Sequence, residues 1–347
     1  MHEDVHSQDP QTATPVTSGA ARLLNDPRDL PFIRLILQCF LVALAGVGLF
    51  FVREHFWLLG AAYLAVWAAW VLDRYILMLH CTSHRRLFRS EVGFLNQIPA
   101  WVLAPFFGQT PESYFVHHLG MHHREGNLPR DTSSTLLHQR DRFGDWLAYV
   151  TRFLCFGLLD LSRYHAGRGN AKLLRRLLIG ELCFWLGTLA LGVLNWRATL
   201  VVLVLPLLLV RVLMMIGNWG QHAFVCQEQP ENPYRNSITC INTRYNRRCF
   251  NDGYHIHHHV HARCHWSEYP AEFEANRAEY GRQDAIVFDG VDFFQVWVLL
   301  MLGRWQALAR RFVQLPEAPE RTEAEVIELL RSRVERFSAA NLRALAG

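Results

Sequence analysis

Four apolar runs of nearly bilayer length constrain this chain more than any other feature of its sequence. They cover about residues 32–52, 56–79, 173–194 and 198–217. A helix needs about 20 apolar residues to cross roughly 30 Å of hydrocarbon. Only short polar links, residues 53–55 and 195–197, separate the two runs of each pair. The sequence therefore predicts an all-α integral membrane protein with four transmembrane helices in two hairpins.

Histidines are concentrated beyond the ends of these runs. Nine of them form four clusters, with the patterns HxxxH, HxxxHH, a single histidine and HxxHH. These nine are His80, His84, His118, His122, His123, His222, His255, His258 and His259. Imidazole is a common metal ligand, and one tetrahedral zinc ion would use four ligands at most. Nine histidines therefore predict a site for two metals, carried by a helical cap.

The spacing within each cluster predicts how its members share the metals. Residues four apart lie on one face of an α-helix, so His80 and His84 are expected to bind one metal together. The same argument pairs His118 with His122 and turns His123 toward the second metal. The third pattern repeats this arrangement at spacings of three and four residues.

Basic residues predict the side of the membrane on which the clusters lie. Three arginines fall within residues 85–89, after the second run, and three basic residues fall within residues 172–176, before the third. Each link on the other side has one arginine. Because short cytoplasmic loops are enriched in lysine and arginine, this multi-pass protein is predicted to have its histidine clusters and both termini on the cytoplasmic side.

The chain is expected to divide into three parts. Residues 1–30 are polar and rich in Pro, Thr, Ser and Asp, which predicts a disordered lead. Residues 31–285 form the predicted catalytic membrane domain. Residues 286–347 are expected to form an interfacial helix and then a charged cytosolic helix, because apolar residues recur there at roughly helical spacing.

Charge and cysteine content exclude other classes of protein. A net charge of +4 with arginines in short clusters does not suggest a nucleic-acid-binding surface. The eight cysteines are scattered without a CxxC pair, which argues against a disulfide scaffold and a zinc ribbon.

Three polar residues are candidates for supporting the metal ligands. Asp73 lies inside the second run, where a carboxylate is costly unless it is used or paired; an ion pair with Arg74 or another arginine is an equal alternative. Asn218 lies one helical turn before His222. Asp252 precedes the third cluster and could accept the free N–H of a ligating histidine, although helix capping is the simpler explanation.

The ordered patterns resemble those of the membrane fatty acid desaturase and hydroxylase superfamily, over roughly residues 35–270. The segment Asn218-Trp-Gly-Gln-His222 is similar to a motif of the alkane monooxygenases. By contrast, His122-His123-Arg-Glu-Gly-Asn127 and Asn251-Asp-Gly-Tyr-His255 look more like bacterial desaturases. The resemblance implies a non-haem di-iron centre that is held by the nine histidines and uses O₂ as co-substrate.

The resemblance also implies an activity, with alternatives. A fatty acyl desaturase is the first expectation, and a hydroxylase or monooxygenase of an acyl or alkyl chain is the second. A membrane protein that binds metal without catalysis is the third. The sequence has no haem-binding HPGG, no cysteine pattern of a ferredoxin and no GxGxxG unit. An enzyme of this kind therefore needs an external electron donor of the ferredoxin, rubredoxin or cytochrome b5 type, with its reductase.

Overall fold

The computed structural model describes residues 19–346, most of which are helical. The predicted helical character is therefore confirmed. In chain order the α-helices are α1 (Leu30–Leu49), α2 (Phe56–Val66), α3 (Asp73–His84), α4 (Ser113–His117), α5 (His123–Glu125), α6 (Phe143–Gly167), α7 (Ala171–Thr199), α8 (Leu205–Gln221), α9 (Pro233–Asn236), α10 (Arg244–Arg248), α11 (His255–Val260), α12 (Tyr269–Ala275), α13 (Arg277–Arg282), α14 (Phe293–Met301), α15 (Trp305–Ala309), α16 (Glu323–Ser332) and α17 (Ala339–Ala346).

Several of these helices are continued by turns of another type. The π-helical segments are Trp67–Leu72, Ile98–Leu103, His118–His122 and Leu200–Val204. The 3₁₀ segments are Gly19–Leu23, Pro27–Asp29, Ser90–Asn96 and Ala104–Phe107. A π-turn closes hydrogen bonds between residues i and i+5 and often lies at a functional site.

Three continuous helical stretches are long and apolar enough to cross a membrane: Pro27–Leu49, Phe56–His84 and Ala171–Gln221. The third has 51 residues, which would extend about 77 Å as a straight helix at 1.5 Å per residue. At Asn195, however, the backbone leaves the helical region, with φ −155° and ψ 91°. Arg211 then approaches Glu181 to within 3.5 Å, so the chain reverses between these residues.

Part of the predicted disordered lead is ordered. Residues 1–18 lie outside the described residues, but the chain from Gly19 onward forms two short 3₁₀ helices. The side-chain amide of Asn25 donates to the carbonyl oxygens of Arg86 and Phe88, at 2.7 and 3.0 Å. These acceptors are 61 and 63 residues away along the chain. Local composition cannot reveal contacts at such a separation, which explains the difference.

The cap contains two short strands that the sequence analysis did not predict. Strand β1 (Ile238–Ile241) pairs in parallel with β2 (Ile286–Asp289). All four residues of β1 are buried, so the strand lacks the alternation of polar and apolar residues that reveals a half-buried strand. Residues 286–347 were expected to begin with an interfacial helix. They begin instead with strand β2, and helices α14–α17 follow it.

A third unpredicted element is α6, a helix of 25 residues. One face buries Trp146, Tyr149 and Val150 against Met215 and Trp219 of α8. Its other face is exposed. The helix lies between the second histidine cluster and the third apolar run along the chain.

Candidate metal centre

The structure brings all nine histidines together in two adjacent groups. The five-histidine group contains His80, His84, His118, His123 and His258, and the four-histidine group contains His122, His222, His255 and His259. Within each group, the nitrogen atoms that could bind a metal lie within 4.8 Å of one another. The groups adjoin, because the rings of His123 and His259 stack with centroids 4.9 Å apart.

The distances within the groups are those expected of ligands that share an ion. In the five-histidine group, Nε2 of His258 lies 2.8 Å from Nε2 of His80 and 2.9 Å from Nε2 of His123. In the four-histidine group, Nε2 of His255 lies 3.0 Å from Nε2 of His259 and 3.4 Å from Nε2 of His222. Two imidazoles about 2.1 Å from one metal have their nitrogens roughly 2.8–3.4 Å apart at angles of about 84–110°. The donor set therefore fits two metal ions.

The second cluster is distributed differently from the prediction. His118 and His123 lie in one group and His122 in the other, so the expected pairing of His118 with His122 is wrong. The reason is the π-turn His118–His122, in which the backbone N–H of His123 donates to the carbonyl oxygen of His118. Because this turn is wider than an α-turn, residues five apart face the same metal.

Hydrogen bonds that Nδ1–H donates orient several of these rings. Nδ1 of His80 lies 3.1 Å from a carboxylate oxygen of Asp252, and Nδ1 of His122 lies 2.7 Å from one of Asp131. An Nδ1–H that donates to a carboxylate leaves the Nε2 lone pair free for a metal. The carboxylates thus select the tautomer in which Nε2 faces the other histidines of each group.

Two further rings are held by uncharged groups. Nδ1 of His222 donates to the carbonyl oxygen of Asn236 at 2.9 Å, and Nδ1 of His258 lies 3.2 Å from the hydroxyl of Tyr269. Asp131, Asn236 and Tyr269 were not identified in the sequence. Asp131 could have been proposed from the sequence, because its carboxylate lies in the loop that follows the second cluster.

Burial and mutual repulsion favour the neutral form of several of these histidines. Burial lowers the pKa of His222 to about 4, and the nearby His122 adds to this effect. Burial likewise lowers the pKa of His118, His255 and His258 well below the ordinary value, with neighbouring histidines contributing. Burial alone would raise the pKa of Asp131, but His122, His117 and the hydrogen bond from Ser133 together hold that pKa low. The neutral imidazole is the form that binds a metal.

The three candidate supporting residues differ in position. Asp252 contacts His80, and its second oxygen accepts from the hydroxyl of Tyr245 at 2.8 Å. Asp73 contacts no histidine among residues 19–346 and instead forms an ion pair with Arg248. Asn218 donates to the carbonyl oxygen of Ser133 and to the hydroxyl of Tyr149, at 3.0 and 2.7 Å.

A cavity of about 630 Å³ reaches both histidine groups. His80 and His118 of the five-histidine group line it, as do His122 and His255 of the four-histidine group. Away from these rings its lining is mainly apolar, and its larger aliphatic residues are Leu72, Ile76, Leu77, Leu209, Leu213 and Ile216. Its volume is typical of ligand sites. A flexible apolar chain that occupied it would lie in front of both metal positions.

Comparison with known proteins identifies the family. A family model described as fatty acid desaturase matches residues 55–291, more than half of the chain. The chain belongs to the fatty acid desaturase family. Comparisons with curated proteins and with solved structures give no match. Members of this family are oxidoreductases, and both histidine groups lie within the matched residues.

Proposed function

We propose that this member of the desaturase family is an O₂-dependent di-iron enzyme that introduces a double bond into a fatty acyl chain. The observation that carries the proposal is the single apolar cavity that His80 and His118 line from one histidine group and His122 and His255 from the other. A carbon atom in that cavity would face both metal ions. Desaturation removes hydrogen from two neighbouring carbons, and both of them would lie in this cavity.

The nine histidines are the proposed iron ligands, with five holding one ion and four the other. Bound iron would supply O₂ activation and the abstraction of hydrogen from an unactivated C–H bond. The protein would orient the ligands through Asp252 and Asp131. The apolar walls would exclude water and hold the acyl chain. Two electrons per turnover would come from a separate donor protein, such as a ferredoxin, rubredoxin or cytochrome b5 with its reductase.

We expect the chain to cross the membrane four times, in two hairpins, with the histidines and both termini in the cytoplasm. The contact between Arg211 and Glu181 supports the second hairpin, because the chain must reverse near Asn195 to form it. In a variant whose eight native cysteines are replaced by serine, a cysteine introduced in place of Arg197 should react with a membrane-impermeant thiol reagent only from the side opposite the histidines. Reaction from the cytoplasmic side would contradict this topology.

A hydroxylase of an acyl or alkyl chain is the alternative. The inclusion of His222, from the motif that resembles the alkane monooxygenases, in the four-histidine group favours this alternative. Both reactions begin with hydrogen abstraction, and they differ in whether a second hydrogen is lost or oxygen is returned to carbon.

Mass spectrometry of lipids and free acyl products from expressing cells tests the proposal and separates the two reactions. We expect a product that is lighter than its substrate by two hydrogens and is absent from cells that express His258→Ala. A product heavier by one oxygen would replace the desaturase by the hydroxylase. A purified protein that contains zinc or no metal, with no product, would contradict the di-iron enzyme.

A further inference from the structure

The segment that precedes helix α1, residues 24–29, lies across the polypeptide beyond the first and third histidine clusters, and we call it the N-terminal strap. It precedes residues 55–291, which the family model matches. A cavity of about 20 Å³ separates the strap from the five-histidine group, and Asp29 lines it together with His80, His84 and His258. Such a volume holds about one water molecule. The strap therefore lies close to the five-histidine group, with no room for a larger ligand between them.

The strap holds the end of helix α3, which carries the first cluster. A carboxylate oxygen of Asp26 accepts from the guanidinium of Arg85 at 2.9 Å, and Arg85 directly follows His84. The backbone continues this contact, because the N–H of Asn25 donates to the carbonyl oxygen of Leu87 at 3.0 Å. Movement of the strap would therefore displace the residue next to a candidate ligand.

The strap also reaches the residues that follow the third cluster. Arg28 donates to Glu268 at 2.6 Å, and Glu268 precedes Tyr269, whose hydroxyl lies 3.2 Å from Nδ1 of His258. The side chains of Arg28 and Glu268 are 48% and 45% exposed, so their ion pair contributes little to stability. Its effect is to fix the position of Glu268, and with it the start of helix α12, which carries Tyr269.

Asp29 is the buried anchor of the strap, with 4% of its surface exposed. One of its carboxylate oxygens lies 3.0 Å from Nε2 of His265 and accepts from the indole N–H of Trp266 at 3.1 Å. The backbone N–H of Ser267 donates to Nδ1 of His265 at 3.2 Å. Because Nδ1 is an acceptor there, the ring proton lies on Nε2 and is donated to Asp29. Two hydrogen bonds to a buried carboxylate thus fix the strap to the loop that follows the third cluster.

The four-histidine group has no such connection to the strap. Among residues 19–346, no residue of the strap hydrogen-bonds to a member of that group, or to Asp131 or Asn236, which orient His122 and His222. The strap contacts therefore bear on one metal position and not on the other.

The five-histidine group needs support of this kind. Its three segments are far apart in the chain, and Nε2 of His258 lies only 2.8 Å from Nε2 of His80 and 2.9 Å from Nε2 of His123. Nitrogen lone pairs that face one another at such distances repel until an ion lies between them. A metal site keeps its geometry only when the surrounding residues hold its members to within about 0.5 Å.

We propose that the N-terminal strap is a positioning element for the ion of the five-histidine group, and that Asp29 is its principal positioning residue. The strap holds the segments that carry His84 and His258 at the separation that one shared ion requires. Asp29 touches neither the ion nor the substrate and acts through His265 and Trp266. This inference rests on the proposed di-iron ligation, but not on the choice between desaturation and hydroxylation.

Mössbauer spectroscopy of the full, iron-loaded chain in uncharged detergent tests the role of the strap without turnover. Ions with five and with four nitrogen ligands should give two distinct quadrupole doublets, and His258→Ala and His255→Ala identify the doublet of each group. We expect Asp29→Leu to alter only the doublet of the five-histidine group. The same variant should lose that ion to a chelator about tenfold faster, at the lower end of the effect of residues that orient ligands. Asp29→Asn keeps an oxygen that can accept from His265 and Trp266, and it should restore the native spectrum and rate.

A double variant tests the exposed contacts of the strap separately. Asp26→Asn/Arg28→Gln should alter the same doublet and speed the loss of the same ion by about threefold, because exposed ion pairs are weak. The control variant is Glu91→Gln, which removes an exposed carboxylate outside the strap and should leave both doublets and both rates unchanged. Affinity for a fatty acyl probe should be native in all these variants, since no strap residue lines the large cavity.

A lower Tm for Asp29→Leu with native doublets and a native rate of iron loss would overturn the proposal, because Asp29 would then only stabilise the fold. Equal changes in both doublets would also overturn it, because the effect would not be confined to one ion. If Asp29→Leu does not fold, the double variant decides, and a native spectrum and rate for it would overturn the proposal. A native protein that binds iron in neither group would refute the proposed function as well, whereas two native doublets in every strap variant would refute only the role of the strap.

Discussion

Replacing His258 with alanine is expected to lower the iron content from two ions per chain to one and to reduce turnover by at least about 100-fold. His258 is central to the five-histidine group, since its Nε2 lies within 2.9 Å of Nε2 of both His80 and His123. Loss of a partner that only orients a ligand already costs about 10–100-fold, so loss of a ligand should cost more. Elemental analysis of the purified protein measures the iron, and product formation measures the turnover.

The same helix provides a matched control. His257 lies beside His258 in α11 and is equally buried, but it belongs to neither histidine group. His257→Ala should keep both irons. His255→Ala should remove the other ion, from the four-histidine group. Retention of two irons by His258→Ala, or the same loss from His257→Ala, would contradict the assignment of ligands.

Substitution of the orienting carboxylates should give a graded effect on the same two groups. Asp131→Asn removes the charge that holds His122, and Asp252→Asn removes the one that holds His80. Each should weaken the affinity of its own group by about 10–100-fold, measured by competition with a chelator. Weakening of the opposite group alone would contradict these orienting hydrogen bonds.

The sequence was most informative where chemistry requires a residue type at a fixed spacing. The nine histidines stood out because few structural roles explain four such clusters, and the structure collects all nine. Their division between two groups could not be predicted, since it depends on a π-turn at His118–His122. Nothing in HxxxHH distinguishes a π-turn from an α-turn.

Partners that are distant in the chain were also beyond prediction. Asp73 was a candidate because carboxylates in apolar runs are rare, yet its partner is Arg248, 175 residues away. Asn236 contacts Nδ1 of His222 through its backbone carbonyl at 2.9 Å and through its side-chain oxygen at 3.2 Å, although it lies 14 residues away along the chain. Asp252 could be foreseen because it is close in sequence to the third cluster. Contacts that depend on tertiary folding leave no local pattern.

Arg140 illustrates this most clearly, and its replacement should produce the largest loss of stability. Its side chain is fully buried. The guanidinium donates to the carbonyl oxygens of Ala223 at 2.9 Å, Arg333 at 3.0 Å and Glu335 at 2.8 Å. Burial lowers its pKa to about 9, so it remains charged near neutral pH. Arg142, two residues away, is exposed, and the sequence alone does not distinguish the two.

Arg140→Met would remove these three hydrogen bonds from a charged donor, at about 1.5–3 kcal/mol each. The carbonyl oxygen of Arg333 would keep its backbone donor, the N–H of Val225 at 2.8 Å. We expect a loss of at least about 3 kcal/mol in the free energy of unfolding and a Tm lower by at least roughly 4 °C, measured by thermal unfolding in detergent. Arg140→Lys should be intermediate, because an ammonium lacks the planar fork. Arg142→Met is the control and should leave Tm unchanged. An unchanged Tm for Arg140→Met would contradict the anchoring role.

The same substitution should also affect the metal centre. Ala223 follows His222, and the hydroxyl of Thr135 donates to the carbonyl oxygen of His222 at 2.8 Å. Arg140 therefore ties the segment that carries His222 to residues 333–335, beyond the end of the matched family region at residue 291. Iron in the four-histidine group should fall in Arg140→Met while the five-histidine group keeps its ion. On this prediction the C-terminal segment would support the candidate metal centre, although it contributes no histidine to either group.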